Sequence, residues 1–355
     1  MSWLLAFAGF AALIILHEFG HFAAAKAVGM RVERFFLFFP PKLVSIRRGE
    51  TEYGIGAIPL GGFVKITGMN PEEELDPAIA HRAYYHQPVW KRIVVIGAGP
   101  TMNLLIAFGI LFILAFSTQE ITDRVGEIEP GAPAEGRLMP GDEIIAVDGE
   151  RGDAEAIAKQ IGTHECRGEP TDGCRSATPV RVRVERGGEQ RTVPVPAFYD
   201  AELDRQRLGF TYATRRVDIG AGGAATRSLD FMWEVTHRTV GVVVRIFDPE
   251  QREQISGVVG SYEVTRQAID FDTRRALLVI GIISLSLAII NLFPFLPLDG
   301  GHVFWSVVEK VRGRAVPFHV MERASVVGFV LILMIFVVGL SNDIDRLTGE
   351  GFEFR

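Results

Sequence analysis

Four long apolar runs stand out from an otherwise mixed sequence. They cover residues 3–28, 93–116, 276–298 and 324–340. A helix needs about 20 apolar residues to cross a bilayer, and each run reaches or approaches that length. The first run is too long, and too weakly flanked by basic residues, to be a cleaved signal peptide. The pattern therefore predicts a polytopic membrane protein with about four transmembrane helices.

The segments between these runs have other patterns. Residues 31–66 contain short β-like pieces with apolar faces, which predict a β-hairpin or small sheet after the first helix. The sheet either dips into the membrane or only caps the helices from the cytoplasm, and the pattern leaves both open. Residues 122–212 combine Gly- and Pro-rich turns with short strands, which predict a β-rich soluble domain. Helical spacing of apolar residues in 229–247 predicts an amphipathic helix.

These predictions divide the chain into nine segments. They are a transmembrane helix at 1–29, a membrane-associated β region and connection at 30–92, a second transmembrane helix at 93–116, the soluble domain at 122–212, a linker and amphipathic helix at 213–275, a third transmembrane helix at 276–299, a loop at 300–323, a fourth transmembrane helix at 324–340 and a C-terminal tail at 341–355. The fourth transmembrane helix is expected to serve packing only.

The distribution of charge predicts an orientation in the membrane. Basic residues are concentrated in 30–92 and 300–323, which the positive-inside rule places in the cytoplasm. Both termini and the segment 117–275 are then expected outside, although Arg274 and Arg275 run against the rule. The formal net charge is -6 and no basic stripe dominates, which argues against a nucleic-acid partner.

The first apolar run contains the sequence His17-Glu18-Phe19-Gly20-His21. Histidines four residues apart share one face of a helix, where both can bind one zinc ion, with Glu18 beside them as general base. The alternative is a pair of buried histidines that only form hydrogen bonds in a helix bundle. Ionisable groups are costly in a membrane helix unless they bind something, so the position favours a metal site. The motif therefore predicts one Zn²⁺ per chain and a metalloprotease site inside the membrane.

A zinc site needs a third protein ligand besides the two histidines. The third apolar run ends in NLFPFLPLDGG at 291–301, where two prolines break the helix at membrane depth. Asp299 at this break is the best candidate ligand, and it would leave one position open for water. The alternative is that Asp299 caps a helix beginning near Gly300. Asn103 in the second run is a candidate for either interhelical packing or chemistry.

Cys166 and Cys174 are the only cysteines of the chain, and they lie in a polar insertion of the soluble domain. Outside the cytoplasm, a disulfide that closes this insertion is favoured. Two free thiols are the alternative.

Taken together, these residues resemble the bacterial site-2 protease family. The motifs HEFGH at 17–21, PLGGFVK ending at Lys65, GPTMN at 99–103 and NLFPFLPLDGG at 291–301 occur in the family's order, and 131–149 resembles a protease-associated PDZ domain. The resemblance implies that zinc is held by His17, His21 and Asp299 and that Glu18 is catalytic. It also implies that Asn291 and Asn103 hold substrate or stabilise the oxyanion.

The resemblance implies an intramembrane zinc metalloprotease of the bacterial cytoplasmic membrane, with its PDZ domain outside and its active site near the cytoplasmic side. The expected substrate is a single-span protein, such as an anti-sigma factor or a remnant signal peptide, already cut by an upstream site-1 protease. The β region would help to unwind the substrate helix. This chain departs from the family pattern at 38–41, which reads FFPP, and at 256–260.

Two other functional classes are consistent with parts of the sequence. A catalytically inactive scaffold or chaperone would use the PDZ domain for binding, but the complete HExxH motif and Asp299 argue against it. A metal transporter needs polar groups along several helices, whereas the sequence has one polar cluster near one side.

Overall fold

The computed structural model describes residues 1–70, 73–245, 248, 252 and 255–349. These residues form two compact units. Unit 1 consists of Met1–Ala115 together with the chain from Gly220 onward, and unit 2 is Phe116–Ile219. Residues 350–355 of the predicted tail lie outside the described residues.

Helices dominate unit 1. The helices in chain order are α1 (Ser2–Ala27), α2 (Pro77–Ala80), α3 (Val89–Ala115), α4 (Ala154–Gly162), α5 (Ala221–Val244), α6 (Val258–Phe271), α7 (Thr273–Asn291), α8 (Asp299–Arg312) and α9 (Phe318–Thr348), with a 3-10 turn at Tyr84–His86 and with α4 belonging to unit 2. Among the described residues, α1, α3, α7 and α9 are long and apolar enough to cross a membrane. The protein is thus a membrane protein with four candidate spans, as the apolar runs predict.

One face of α1 turns inward. Its buried residues recur at helical spacing and are Ala6, Leu13, His17, Gly20, His21 and Ala25. The C-terminal end of this face, at Ala25, packs into a core formed with the β region and α3. This core includes Met30, Val32, Ile66, Tyr84 and Val95. The two histidines therefore belong to the buried stripe of α1.

Residues 31–66 form several short paired segments, as the pattern predicts, although these are joined into two long strands. Strands β1 (Val32–Arg48) and β2 (Thr51–Ile66) pair antiparallel around a turn at Gly49, whose φ is 61°. Irregular register near 37–44 absorbs the two prolines, and Phe38 there has a φ of 72°. Residues 34–37 of β1 pair with 62–65 of β2 on one side and with 52–55 of β2 on the other, so each long strand folds back on itself. The phenyl ring of Phe63 stacks on those of Phe36 and Phe39 across the paired segments.

Several helices differ from the predicted boundaries. Helix α5 begins at Ala221, before the predicted amphipathic helix at 229–247, so part of the predicted linker is helical, as its alanines favour. Residues 246–247 of the predicted amphipathic segment lie outside the described residues. Helix α8 occupies much of the predicted loop at 300–323, and α9 continues to Thr348 into the predicted tail. Hydropathy marks where a helix leaves apolar surroundings, and it does not mark where helical hydrogen bonding ends.

Unit 2 is a five-stranded antiparallel sheet with one helix. Its strands are β3 (Gln119–Ile128), β4 (Glu143–Val147), β5 (Val180–Arg186), β6 (Glu189–Val195), β7 (Phe198–Asp200), β8 (Arg205–Arg207) and β9 (Phe210–Arg216). The sheet order is β6-β5-β4-β3-β9, and β7 and β8 form a separate hairpin. Val180, Val182 and Val184 alternate into the core, the pattern of a half-buried strand. Cys166 and Cys174, between α4 and β5, are joined in a disulfide.

Candidate metal centre

Three potential ligand atoms converge inside unit 1. The Nε2 atoms of His17 and His21 each lie 3.2 Å from Oδ2 of Asp299, and they lie 3.2 Å from each other. Both histidines are buried, at 7% exposure. The structure therefore brings together, from α1 and the start of α8, the three residues that the sequence singles out as a ligand set.

Helix α3 contacts both histidine rings at Nδ1, the nitrogen that faces away from the ligand cluster. The Nδ1–H of His21 donates to the carbonyl of Val95 at 2.9 Å. The side-chain amide of Asn103 lies 3.2 Å from Nδ1 of His17. Such partners on the far ring nitrogen fix the orientation of the ring and point Nε2 at the ligand cluster. The sequence gives no sign of the Val95 contact, because every residue has a carbonyl.

The amide of Asn103 has one orientation that suits a metal site. The residue is fully buried, and its Oδ1 has no hydrogen-bond partner among the described residues. Rotating the amide by 180° places Oδ1 next to the ring, where Nδ1–H of His17 donates to it. That arrangement leaves the lone pair of Nε2 free for a metal. Asn103 is thus placed to orient a histidine ligand, and its predicted contact with substrate stays a prediction.

Glu18 lies on α1 directly beside the ligands and under strand β2. Gly62 packs so closely that a Cβ built there would be 3.0 Å from Cγ of Glu18. The β-hairpin and the candidate general base are therefore neighbours.

The residues present fit a zinc ion. Oδ2 of Asp299 is buried and has no hydrogen-bond partner among the described residues, although two imidazole nitrogens face it. Two imidazoles and one carboxylate are a donor set that zinc accepts, with a fourth position open. Gly99 leaves the space next to them, since a Cβ there would lie 2.8 Å from Nε2 of His17 and would overlap His21.

Asp299 does not act as the helix cap that the sequence leaves as an alternative. It is the first residue of α8, Leu298 occupies the cap position, and no side-chain capping bond is formed there. The preceding loop is compact: side chains on Gly300 or Gly301 would run into backbone atoms of residues 292–296. Gly328 of α9 supports the same loop, because a Cβ there would overlap the carbonyl oxygen of Leu296. Nothing in the sequence pattern singles out Gly328.

Asn291 lies at the end of α7 and is half-buried. The contacts that build the ligand cluster do not include it. Its predicted contact with substrate stays a prediction.

Comparisons with known proteins show which family this chain resembles. Residues 5–335 match the family described as Peptidase family M50. The zinc metalloprotease Rip1 of Mycobacterium tuberculosis is 33% identical over 344 residues, which cover 84% of this chain and 83% of that protein. A Clostridium perfringens protein with the provisional name of zinc metalloprotease is 31% identical over 356 residues, covering 97% and 98% of the two chains. A Campylobacter jejuni protein with the same kind of name is 26% identical over 355 residues, covering 95% and 92%.

Proposed function

Because the chain belongs to peptidase family M50, the site-2 protease family, it is a zinc metalloprotease, and we propose that it cleaves peptide bonds within transmembrane segments of single-span proteins. The observation that carries this proposal is the position of the ligand cluster on the buried face of an apolar helix long enough to span a membrane. A hydrolytic site inside the membrane can act on peptide bonds of transmembrane segments, which soluble proteases cannot reach.

The roles of the residues follow from their chemistry. His17, His21 and Asp299 would hold the zinc ion, which supplies a Lewis acid that activates water and polarises a carbonyl group. Glu18 accepts the proton of the attacking water and passes it to the leaving amine. Asn103 and Val95 keep the two imidazoles in the orientation that binding requires. A donor amide such as that of Asn291 would stabilise the developing oxyanion.

The substrate helix must unwind before it can be cut, since the backbone of an intact helix is already hydrogen-bonded. Residues 34–37 of β1 have described partners on both sides, whereas residues 62–65 of β2 pair on one side only, so the described sheet has an outer edge at 62–65. Edge pairing with an extended substrate would replace part of the lost helical hydrogen bonding. The contact of β2 with Glu18 supports this role, because it places a strand next to the candidate base.

We further propose the membrane setting and the class of substrate. The family favours a bacterial cytoplasmic membrane. The basic residues of 30–92 and 300–323 favour an orientation with the site near the cytoplasmic face and unit 2 outside. Unit 2 would be a PDZ domain that admits substrates trimmed by an upstream site-1 protease. Anti-sigma factors and remnant signal peptides are the expected substrates. The disulfide in unit 2 supports an oxidising compartment.

The deciding experiment is cleavage of a tagged, ectodomain-trimmed single-span anti-sigma substrate by the purified protein in detergent. Wild type, Glu18→Gln and wild type with a zinc chelator are compared. We expect cleavage by the wild type only, with the rate reduced about 100-fold or more in the Glu18→Gln variant. Equal cleavage by wild type and variant would contradict the role of Glu18. No cleavage of several helix-destabilised substrates by zinc-loaded wild type would favour a binding scaffold instead.

A further inference from the structure

The helix that carries Asp299 is fastened to α3 at a point far from Asp299. The guanidinium of Arg92, on α3, forms two hydrogen bonds with the carboxylate of Glu309, on α8, at 3.0 and 2.5 Å. The two residues are 217 positions apart in sequence. Paired N–H···O bonds of this kind constrain both distance and angle. The pair therefore holds α8 against α3 in one position along the helix axis.

The surroundings of Arg92 make this contact specific. Its side chain is 3% exposed, although arginine is rarely so buried. The guanidinium lies 6.0 Å from the ring centre of Tyr84 and 5.5 Å from that of Tyr85. A buried charge is stable only when it is paired, so Glu309 cannot move along α3 without leaving the guanidinium unpaired.

The same face of α3 carries several supports of the ligand cluster. Arg92, Val95, Gly99 and Asn103 follow one another at intervals of three, four and four residues, which places them on one side of a helix. Val95 and Asn103 hold the histidine rings, and Gly99 leaves room for their Nε2 atoms. Arg92 extends this row to the helix of the third ligand.

The start of α8 is held by close backbone packing. Gly300 and Gly301, which follow Asp299, pack against residues 292–296 of the preceding loop and have no side chains that could bind α3. Glu309 lies ten residues further on, or roughly 15 Å along the helix. Because a helix moves as a rigid rod over this length, the hydrogen bonds between Arg92 and Glu309 also constrain the position of Asp299.

We propose that Arg92 and Glu309 are positioning residues that hold Asp299 at the two histidine nitrogens. They touch neither substrate nor metal and act only through the placement of α8 on α3. The inference rests on the proposed function, in which Asp299 is a zinc ligand. It implies that loosening the pair weakens zinc binding while the HExxH motif stays intact.

The test measures how fast zinc leaves the purified, zinc-loaded full-length protein when a chromogenic chelator is added. The variants are Glu309→Gln, Arg92→Gln, Arg92→Lys and the exchange of both charges, Arg92→Glu with Glu309→Arg. We expect zinc to leave about tenfold faster from Glu309→Gln and Arg92→Gln, at the lower end of what distant supports of metal ligands contribute. Arg92→Lys keeps the charge without the two parallel bonds and should fall between them and wild type. The exchange should recover part of the loss.

A matched control separates positioning from general destabilisation. Asp142 and Arg186 form another bidentate pair with a buried carboxylate, in unit 2, where the structure describes no metal cluster. Asp142→Asn should lower the thermal midpoint and leave zinc dissociation at the wild-type rate. The proposal is overturned if Glu309→Gln and Arg92→Lys unfold at lower temperature but release zinc at the wild-type rate, or if Asp142→Asn accelerates release equally.

The outcome also separates this inference from the proposed function. Fast zinc release from the pair variants, together with absence of cleavage by wild type, would support the positioning role and contradict the protease. Wild type that releases zinc as fast as His17→Ala would overturn both, because no intact site would then exist to be positioned.

Discussion

Gly99 shows how a single missing side chain makes room for a metal site. It lies on α3 opposite the two histidines, and a Cβ there would overlap Nε2 of His21. At Gly97, two residues earlier on the same helix, a Cβ would meet nothing within 4 Å. Alanine is the better helix former, so any harm from a Gly-to-Ala change at either position must come from the space that the methyl group occupies.

We therefore expect Gly99→Ala to lose bound zinc and activity, and Gly97→Ala to keep both. The added methyl group displaces the imidazole of His21 from the ligand cluster, which should weaken zinc binding about tenfold or more. Zinc content after purification and cleavage rate are measured for both variants. Equal zinc content in the two would show that the glycine is not needed for the site.

The residues of the site differ in how well sequence could find them. His17 and His21 were predictable because helical spacing alone puts them on one face, and Asp299 because a carboxylate at a broken membrane helix requires a partner. The orienting carbonyl of Val95 has no sequence signature. Arg92 and Glu309 are ordinary residues in the sequence, and only the packing of α8 on α3 shows that they form a buried pair.

At the scale of elements, α9 does more than fill space. Its buried positions among the described residues are Gly328, Gly339 and Asp343. Asp343 accepts hydrogen bonds from the backbone N–H groups of Gly257 and Gly260, at 3.0 and 2.8 Å. These groups belong to the start of α6, which has no capping side chain of its own. One helix thus caps another, and the sequence could not show it because the two partners are 83 or more residues apart.

Removing this cap should loosen α6. Asp343→Ala leaves backbone N–H groups buried without a partner, which costs about 1–3 kcal/mol. We expect faster hydrogen exchange in 258–271, measured by mass spectrometry on the full-length protein. Asp345→Ala is the matched control, since Asp345 is exposed on the same helix. If both variants exchange alike, the cap contributes nothing to α6.

The β region shows how far local signals predict elements. Prolines and glycines in 31–66 predict breaks, and the pairing changes partner there: residues 34–37 pair with 62–65 and with 52–55, whereas 42–48 pair with 51–56. Which segments pair with each other depends on contacts between the segments, such as the stacking of Phe63 on Phe36 and Phe39. Local propensity was therefore sufficient to predict the strand segments and their breaks but not their pairing.

At the scale of the whole molecule, the two units have separate cores and different chemistry. The described metal cluster lies in unit 1, whereas unit 2 has an apolar core of its own. Composition and hydropathy were sufficient to separate them, because membrane helices and a soluble β-rich domain differ in both. In unit 2, the guanidinium of Arg186 forms two hydrogen bonds with Asp142 and holds the pKa of that carboxyl below its usual value.

This pair makes the stability of unit 2 depend on pH in a defined direction. A carboxyl group with a lowered pKa stabilises the folded state above its unfolded pKa of about 4, and the contribution is lost as the pH falls through the folded value. Asp142→Asn should therefore destabilise unit 2 by about 2 kcal/mol at pH 7, a value below that of a fully buried pair because Arg186 is partly exposed. The difference from wild type should shrink as the pH falls below 4. Hydrogen exchange in 116–219, compared between variant and wild type at each pH, measures this difference.

Glu189→Gln is the control for this prediction. It removes an exposed pair with Arg191 and should change the stability of unit 2 little at any pH. If the loss of stability in Asp142→Asn relative to wild type is the same at pH 7 and pH 3, the charge of Asp142 does not stabilise the fold.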